Sequence, residues 1–384
     1  MKPLVAVSLG DPAGIGPEIV VTAAANASVR RACRLLVFGD EGVLEVARKA
    51  RGVSPSAKTA IERVEAVTSL KLAGGLPKPG KRCGEAAFRY LEAAARATAS
   101  GACDALATAP LNKYWLHEAG HHYDGHTEYL AELAGMPATM MLAGPRLRVV
   151  LVTTHVAHAR VPSLLTTEKI VAAGRTTDAH LRRFAGLASP RLAVAALNPH
   201  AGEGGLFGDE EARIIAPAVA RLRRGGVDAQ GPFPADTLFA GAVAGNYDAV
   251  LCMYHDQALI PLKLVDFREA VNVSMGLPFL RTSPDHGTAY DLAGTGRASA
   301  DSMVASILLA AAMAVHRATS RGDAKASAVR KKPTATNASK EAAAPRAANG
   351  TRQATTPRTI RATKKPAKKA TTPAAAGRSK GGKR

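Results

Sequence analysis

Three histidines in this chain each follow a short apolar run: His155 after Val149–Thr154, His200 after Leu192–Pro199 and His255 after Ala249–Tyr254. A single histidine so placed is more often structural or exposed. Three are a different matter, because parallel strands end along one edge of a sheet. Imidazoles gathered there could share a divalent cation and leave a coordination position open for a small molecule. Three imidazoles suit zinc or cobalt, whereas a magnesium site is normally built from oxygens. Directly after His255 come Asp256, Lys263, Asn272, Arg281, Thr282 and Ser283. Such a set can hold an anionic, oxygen-rich ligand, and it lies where open α/β sheets carry their chemistry, beyond the carboxyl end of a strand.

Three further segments each admit two readings. In Asp124-Gly-His-Thr-Glu128, Thr127 could cap a helix, or His126 and Thr127 could donate to a phosphate or carboxylate. Gly10, Gly14 and Gly16 fit neither G-x-G-x-x-G nor the Walker pattern. A tight strand-to-helix turn with Pro17 opening the helix is preferred there, although helix-start amides could still face an anion. The glycine-rich loop Asn198–Gly208 starts beside His200 and reads as backbone brought close to a ligand rather than as a slack surface loop.

The elements that must position these groups alternate along the chain. Strands are expected at 4–9, 35–38, 105–108, 139–142, 148–152, 192–197 and 249–253. Helices are expected at 85–99, 167–184, 209–224 and 299–316. This alternation predicts an α/β architecture with a largely parallel sheet.

Composition narrows the rest. The formal charge of +20 suggests a polyanionic partner, but its distribution is uneven. From Arg317 to Arg384 lie 19 of the 51 basic residues and two of the 31 acids, a net of +17; the first 316 residues keep 32 against 29. This Lys/Ala/Pro/Thr-rich tail has no aromatic residue and is expected to be disordered. It either contacts nucleic acid without sequence preference or is a solvated appendage. Cys33, Cys83, Cys103 and Cys252 form no C-x-x-C pair and read as buried thiols in a reducing cytoplasm. Neither a signal peptide nor a membrane span is expected.

Read together, several motifs resemble the 4-hydroxythreonine-4-phosphate dehydrogenase family of pyridoxal phosphate biosynthesis. They are Gly-Asp-Pro-Ala-Gly-Ile-Gly-Pro-Glu at 10–18, Ala-Thr-Ala-Pro-Leu-Asn-Lys at 107–113, Gly-His-Thr-Glu at 125–128 and Thr-Thr-His at 153–155. Asn-Pro-His-Ala-Gly-Glu at 198–203, Tyr-His-Asp-Gln at 254–257 and Gly-Leu-Pro-Phe-Leu-Arg-Thr-Ser-Pro-Asp-His-Gly-Thr-Ala at 276–289 continue in the same order. The resemblance covers residues 3–316 and not the tail. It implies an isocitrate/isopropylmalate dehydrogenase-like fold of two lobes, residues 1–125 with 277–316 and residues 126–276, in a homodimer with active sites at the subunit interface.

The resemblance also implies the chemistry. NAD or NADP and one divalent metal (zinc, cobalt or magnesium) would serve oxidation of 4-phosphohydroxy-L-threonine. The resulting β-keto acid would lose carbon dioxide to give 3-amino-2-oxopropyl phosphate. Metal ligands fall on His155, His200 and His255, and substrate contacts on His126, Thr127, Lys263, Asn272 and Arg281. Asp256 and Lys263 are the candidate bases. The run Val-Ala-His-Ala-Arg-Val-Pro after His155 departs from the family's pattern. Paralogues acting on threonate or erythronate 4-phosphate, or on carboxylated dihydrodiols, therefore stay open.

Overall fold

The computed structural model describes residues 2–72 and 74–330, with side chains described as far as residue 319. Eleven strands form a sheet: β1 (Leu4–Ser8), β2 (Arg34–Gly39), β3 (Ile61–Ala66), β4 (Ala105–Thr108), β5 (Thr139–Ala143), β6 (Arg148–Leu151), β7 (Arg191–Ala195), β8 (Asp228–Phe233), β9 (Ala249–Cys252), β10 (Val271–Met275) and β11 (Arg281–Pro284). Their order is β3-β2-β1-β4-β11-β10-β5-β6-β9-β7-β8. The neighbours β11/β10, β10/β5 and β5/β6 are antiparallel. The others are parallel. The expected α/β class with a mostly parallel sheet is the one observed.

Strands buried on both faces can be continuously apolar. That is why β1 (LVAVS) and β9 (AVLC) stand out in the sequence and are buried along nearly their whole length. The strands from residues 1–125 and 277–316 occupy one end of the sheet, and those from 126–276 the other. Where the two sets meet, β11 pairs with β4 through Arg281↔Leu106 and Thr282↔Ala107. On its other side it pairs with β10, Asn272 opposite Ser283. The middle of the sheet is thus a seam of polar strands.

Several elements were not expected. β3 reads IERVEA with its side chains mostly solvated, as an edge strand's are. β8 contains Gly231-Pro232, a breaker pair in sequence. β10 (VNVSM) and β11 (RTSP) carry the site's own polar residues and so hide their strand character. Helices Ala235–Val243 and His255–Asp266 were also missed, the latter with Pro261 inside it.

The last helix runs Asp301–Arg330, past the expected boundary at 316. Met303, Ile307, Ala310, Ala311 and Ala314 recur at helical spacing and are buried in the main core. Each large side chain so buried contributes roughly 1.5–3 kcal/mol. Asp301–Thr319 is long and apolar enough to cross a membrane by length and composition alone, a test that a core helix also passes, and its Met303 and Ile307 side chains are buried in the core. Arg317, placed in the tail by sequence, donates to the Asp104 carbonyl at 2.7 Å and so belongs to the body. The expected disordered segment from 331 to 384 lies outside the described residues.

Candidate active site

A cavity of about 360 Å³ opens at the polar seam, bordered by Thr108, Lys113, Asp124 to Glu128, His155, Asn272, Arg281, Ser283 and Asp285 to Gly287. Arg281 is its centre. β11 carries the guanidinium into the interior, where the residue is 2% exposed. Nη1 donates to Ser274 Oγ at 3.0 Å and Nη2 to Thr108 Oγ1 at 2.9 Å. Nε is buried without a partner, and no described carboxylate forms an ion pair with this side chain. Burial pushes its pKa down to about 10, with Glu128 opposing the shift from a distance. A buried cation held only by hydroxyls is costly unless an anion completes it.

Two more unsatisfied groups border the same space. Asn272 Oδ1, on β10, and His126 Nε2 are both buried without a hydrogen-bond partner. Burial, with the nearby Arg281 and Lys113 cations, holds His126 well below the ordinary histidine value despite a hydrogen bond with the Ala109 backbone. His126 is therefore a neutral imidazole. It opens the helix His126–Ala134, whose N-cap is Gly125. Thr127 is accordingly not the cap that the sequence suggested; its hydroxyl lies 3.5 Å from Ser274 Oγ. Orphaned donors and acceptors around a buried cation are the pattern of a site made for a polar ligand.

The cavity borders rest on close backbone packing. Gly10 (φ 69°) lies so near Pro110 that a Cβ would fall 2.2 Å from its carbonyl oxygen, and one on Gly16 would fall 2.4 Å from that of Leu9. Asp11 N–H donates to Pro110 O at 2.8 Å and Ile15 N–H to Thr288 O at 3.0 Å. These contacts support the tight-turn reading of residues 10–16. The helix that follows, Gly16–Ala25, has Pro17 in its first turn.

His155 joins this cavity to a second, of about 260 Å³, bordered also by Thr154, His158, Tyr254, His255 and Asp256. The rings of His155 and His255 are 5.6 Å apart. Burial, Lys113 and His255 lower the pKa of His155, leaving a neutral ring with a lone pair to offer. Asp256 Oδ1 lies 2.7 Å from His255 Nδ1. A carboxylate on one ring nitrogen fixes the tautomer and turns the other nitrogen outward, as around metal-bound histidines. The imidazole pair fits a divalent cation chemically.

His200 borders neither cavity. It sits in the turn Pro199–Gly205, where His200 (φ 51°), Ala201 (φ 54°) and Glu203 (φ 42°) are all left-handed. Each such non-glycine residue costs on the order of 1 kcal/mol. Glu211 holds the turn, accepting from the Leu197 and Asn198 backbone N–H groups, both at 2.8 Å. A Cβ on Gly202 would lie 2.8 Å from the Glu211 carboxylate, and one on Gly208 2.5 Å from the Asn198 amide. The glycines thus admit the loop's own side chains, whereas the sequence suggested close approach to a ligand. Among the described residues, no group of three or more His, Cys, Asp or Glu side chains converges to hold a metal. The expected third histidine therefore does not join the other two within one chain.

Lys263 does not border the main cavity; its ammonium is engaged by the Asp285 carboxylate at 2.8 Å. Sequence reasoning passed over Thr108, Lys113 and Ser274. The first two lie in the Ala-Thr-Ala-Pro-Leu-Asn-Lys motif, which was the available signal. Ser274 had none, because strand alternation from Asn272 could be used only once β10 was known.

Strand-end imidazoles beside a buried guanidinium with no anionic partner among the described residues are groups suited to an α/β enzyme that takes a small oxygen-rich anion. Residues 31–310 match the family model described as "Pyridoxal phosphate biosynthetic protein PdxA". A 4-hydroxythreonine-4-phosphate dehydrogenase of Geobacter metallireducens is 52% identical over 82% of this chain and 96% of its own length. A putative D-threonate 4-phosphate dehydrogenase of Salmonella typhi is 44% identical over 81% and 98%. The crystal structure of 4-hydroxythreonine-4-phosphate dehydrogenase from Klebsiella pneumoniae is similar with a TM-score of 0.72 and 42% identity, over 83% of this chain and 99% of that one. The chain belongs to the PdxA family and is an oxidoreductase.

Proposed function

We propose that this chain oxidises 4-phosphohydroxy-L-threonine with NAD or NADP, giving a β-keto acid that loses carbon dioxide to form 3-amino-2-oxopropyl phosphate in pyridoxal 5'-phosphate synthesis. The observation that carries this reading is Arg281, a buried guanidinium with no anionic partner. Phosphate or carboxylate oxygens would complete it by charge-assisted hydrogen bonds. Neutral His126, Thr127 and Asn272 would bind and orient the remaining oxygens and the amino group. Lys263, displaced from Asp285, would add a second cation.

Bound NAD or NADP would accept the hydride, and a divalent metal (zinc, cobalt or magnesium) would polarise the hydroxyl being oxidised. His155 and His255 would hold that metal, with His200 as third ligand. Asp256 and Lys263 are the candidate bases. Each is engaged in the ligand-free chain, Asp256 with His255 and Lys263 with Asp285, and Lys263 can serve as base only in its neutral form, not while it acts as a cation. Four buried free cysteines suit a reducing cytoplasm.

The site would be completed by a second copy of the chain. Ile260, Leu264 and Phe267, at helical spacing directly after His255, are 66%, 84% and 71% exposed. Beside His200, Leu206 and Phe207 are 74% and 47% exposed. Apolar surface concentrated around the proposed ligands marks a self-complementary interface. It would bring the histidines of two chains together across a dimer, with the two ends of the sheet as the lobes flanking each cleft.

The reading is tested by NADH formation with divalent metal on a substrate panel. 4-Phosphohydroxy-L-threonine should give the highest kcat/KM. Higher values with threonate or erythronate 4-phosphate, or with a carboxylated dihydrodiol, would move the chain to the corresponding paralogous activity.

A further inference from the structure

The charge of this protein is segregated along the chain. Residues 1–330 carry 36 basic and 30 acidic residues, whereas residues 331–384 carry 15 and one. The last described helix runs to Arg330, and the extension is residues 331–384. Relatives matched over 96% or more of their own length account for only 82% of this chain, and the family model stops at residue 310. The matched relatives and the family model do not account for the basic extension, and the dehydrogenase reading leaves it unexplained.

We propose that the C-terminal extension binds double-stranded nucleic acid through its phosphates, without reading sequence, and so carries the enzyme onto a polyanion. Three features of the sequence favour this partner. A net +14 over residues 331–384 is the electrostatic footprint of phosphate-backbone binding, which depends on the number of cations rather than their register. No Phe, Tyr or Trp occurs from 317 to 384, so bases of a single strand find no stacking platform. Ile360 is the only large apolar residue from 331 to 384, too few to insert into a bilayer. Lys364, Lys365, Lys368 and Lys369 form its densest cationic run. This inference does not depend on the substrate proposed above.

The test titrates the full-length protein, without substrate, into a short random-sequence duplex DNA between about 50 and 200 mM salt. Binding should weaken steeply with salt and show no preference among duplex sequences. The variant K364Q/K365Q/K368Q/K369Q should reduce the slope of log affinity against log salt by about 0.9 for each phosphate no longer neutralised, roughly 3 to 4 in all. NADH formation should be unchanged, because these residues lie outside the catalytic body. Absence of binding at the lowest salt overturns the proposal, as does an unchanged slope in the variant. Preference for anionic phospholipid vesicles over DNA would overturn it in favour of a membrane surface.

Discussion

Arg281 and His255 set the terms of this site for opposite reasons. Arg281 is short of a partner. Its pKa near 10 against an ordinary 12.5 reflects burial, opposed by Glu128, a standing cost of about 3 kcal/mol at neutral pH that bound oxygens can offset. His255 already has its partner in Asp256, at 2.7 Å. If that carboxylate orients a metal ligand, Asp256→Asn should weaken divalent metal affinity about 10- to 100-fold in chelator competition without altering the fold. Unchanged metal affinity with abolished turnover would instead make Asp256 the base.

At the scale of elements, the proposed chemistry and the proposed assembly meet on the helix His255–Asp266. Its first residue offers an imidazole, and Ile260 and Leu264, with Phe267 just beyond its end, present an apolar stripe to solvent in the single chain. If the proposed dimer forms through this stripe, Leu264→Glu should give a monomer in sedimentation and lower metal retention along with it. A dimer that survives this substitution would place the interface elsewhere.

What could be read from sequence follows from what each element buries. β1 and β9 announce themselves because both faces are covered. His155 and His255 were legible because they stand immediately after such strands. β10 and β11 were not, since Asn272, Ser274, Arg281 and Ser283 are polar residues in a buried sheet, with Arg281 held by the Ser274 and Thr108 hydroxyls. The separation of His200 from the other two histidines was beyond sequence reasoning. It depends on a left-handed turn pinned by Glu211, and short-range patterning carries no signal for that.

For the whole molecule, buried imidazoles couple stability to pH. Burial holds His180 down to about 4 and keeps His126 well below 6.5. Both stay neutral in the folded chain while an unfolded chain takes up protons below about pH 6.5. Their contribution is fully present above that value and is lost as pH falls from there towards about 4 for His180. Denaturant unfolding should therefore show lower stability near pH 5 than near pH 7, with a smaller difference in His180→Leu. An equal pH dependence in the variant would assign the effect to other groups.

The central claim is that Arg281 waits for the anionic oxygens of a phosphorylated hydroxy acid, and kinetics on Arg281→Met test it most directly. With 4-phosphohydroxy-L-threonine, kcat/KM should fall roughly 100-fold or more, the cost of removing a buried charge that pairs with the substrate. Meanwhile, thermal stability of the ligand-free protein should hold or rise, because an unpaired buried cation is gone. Retained kcat/KM, or a ligand-free protein strongly destabilised by the change, would show that Arg281 serves the fold and not the substrate.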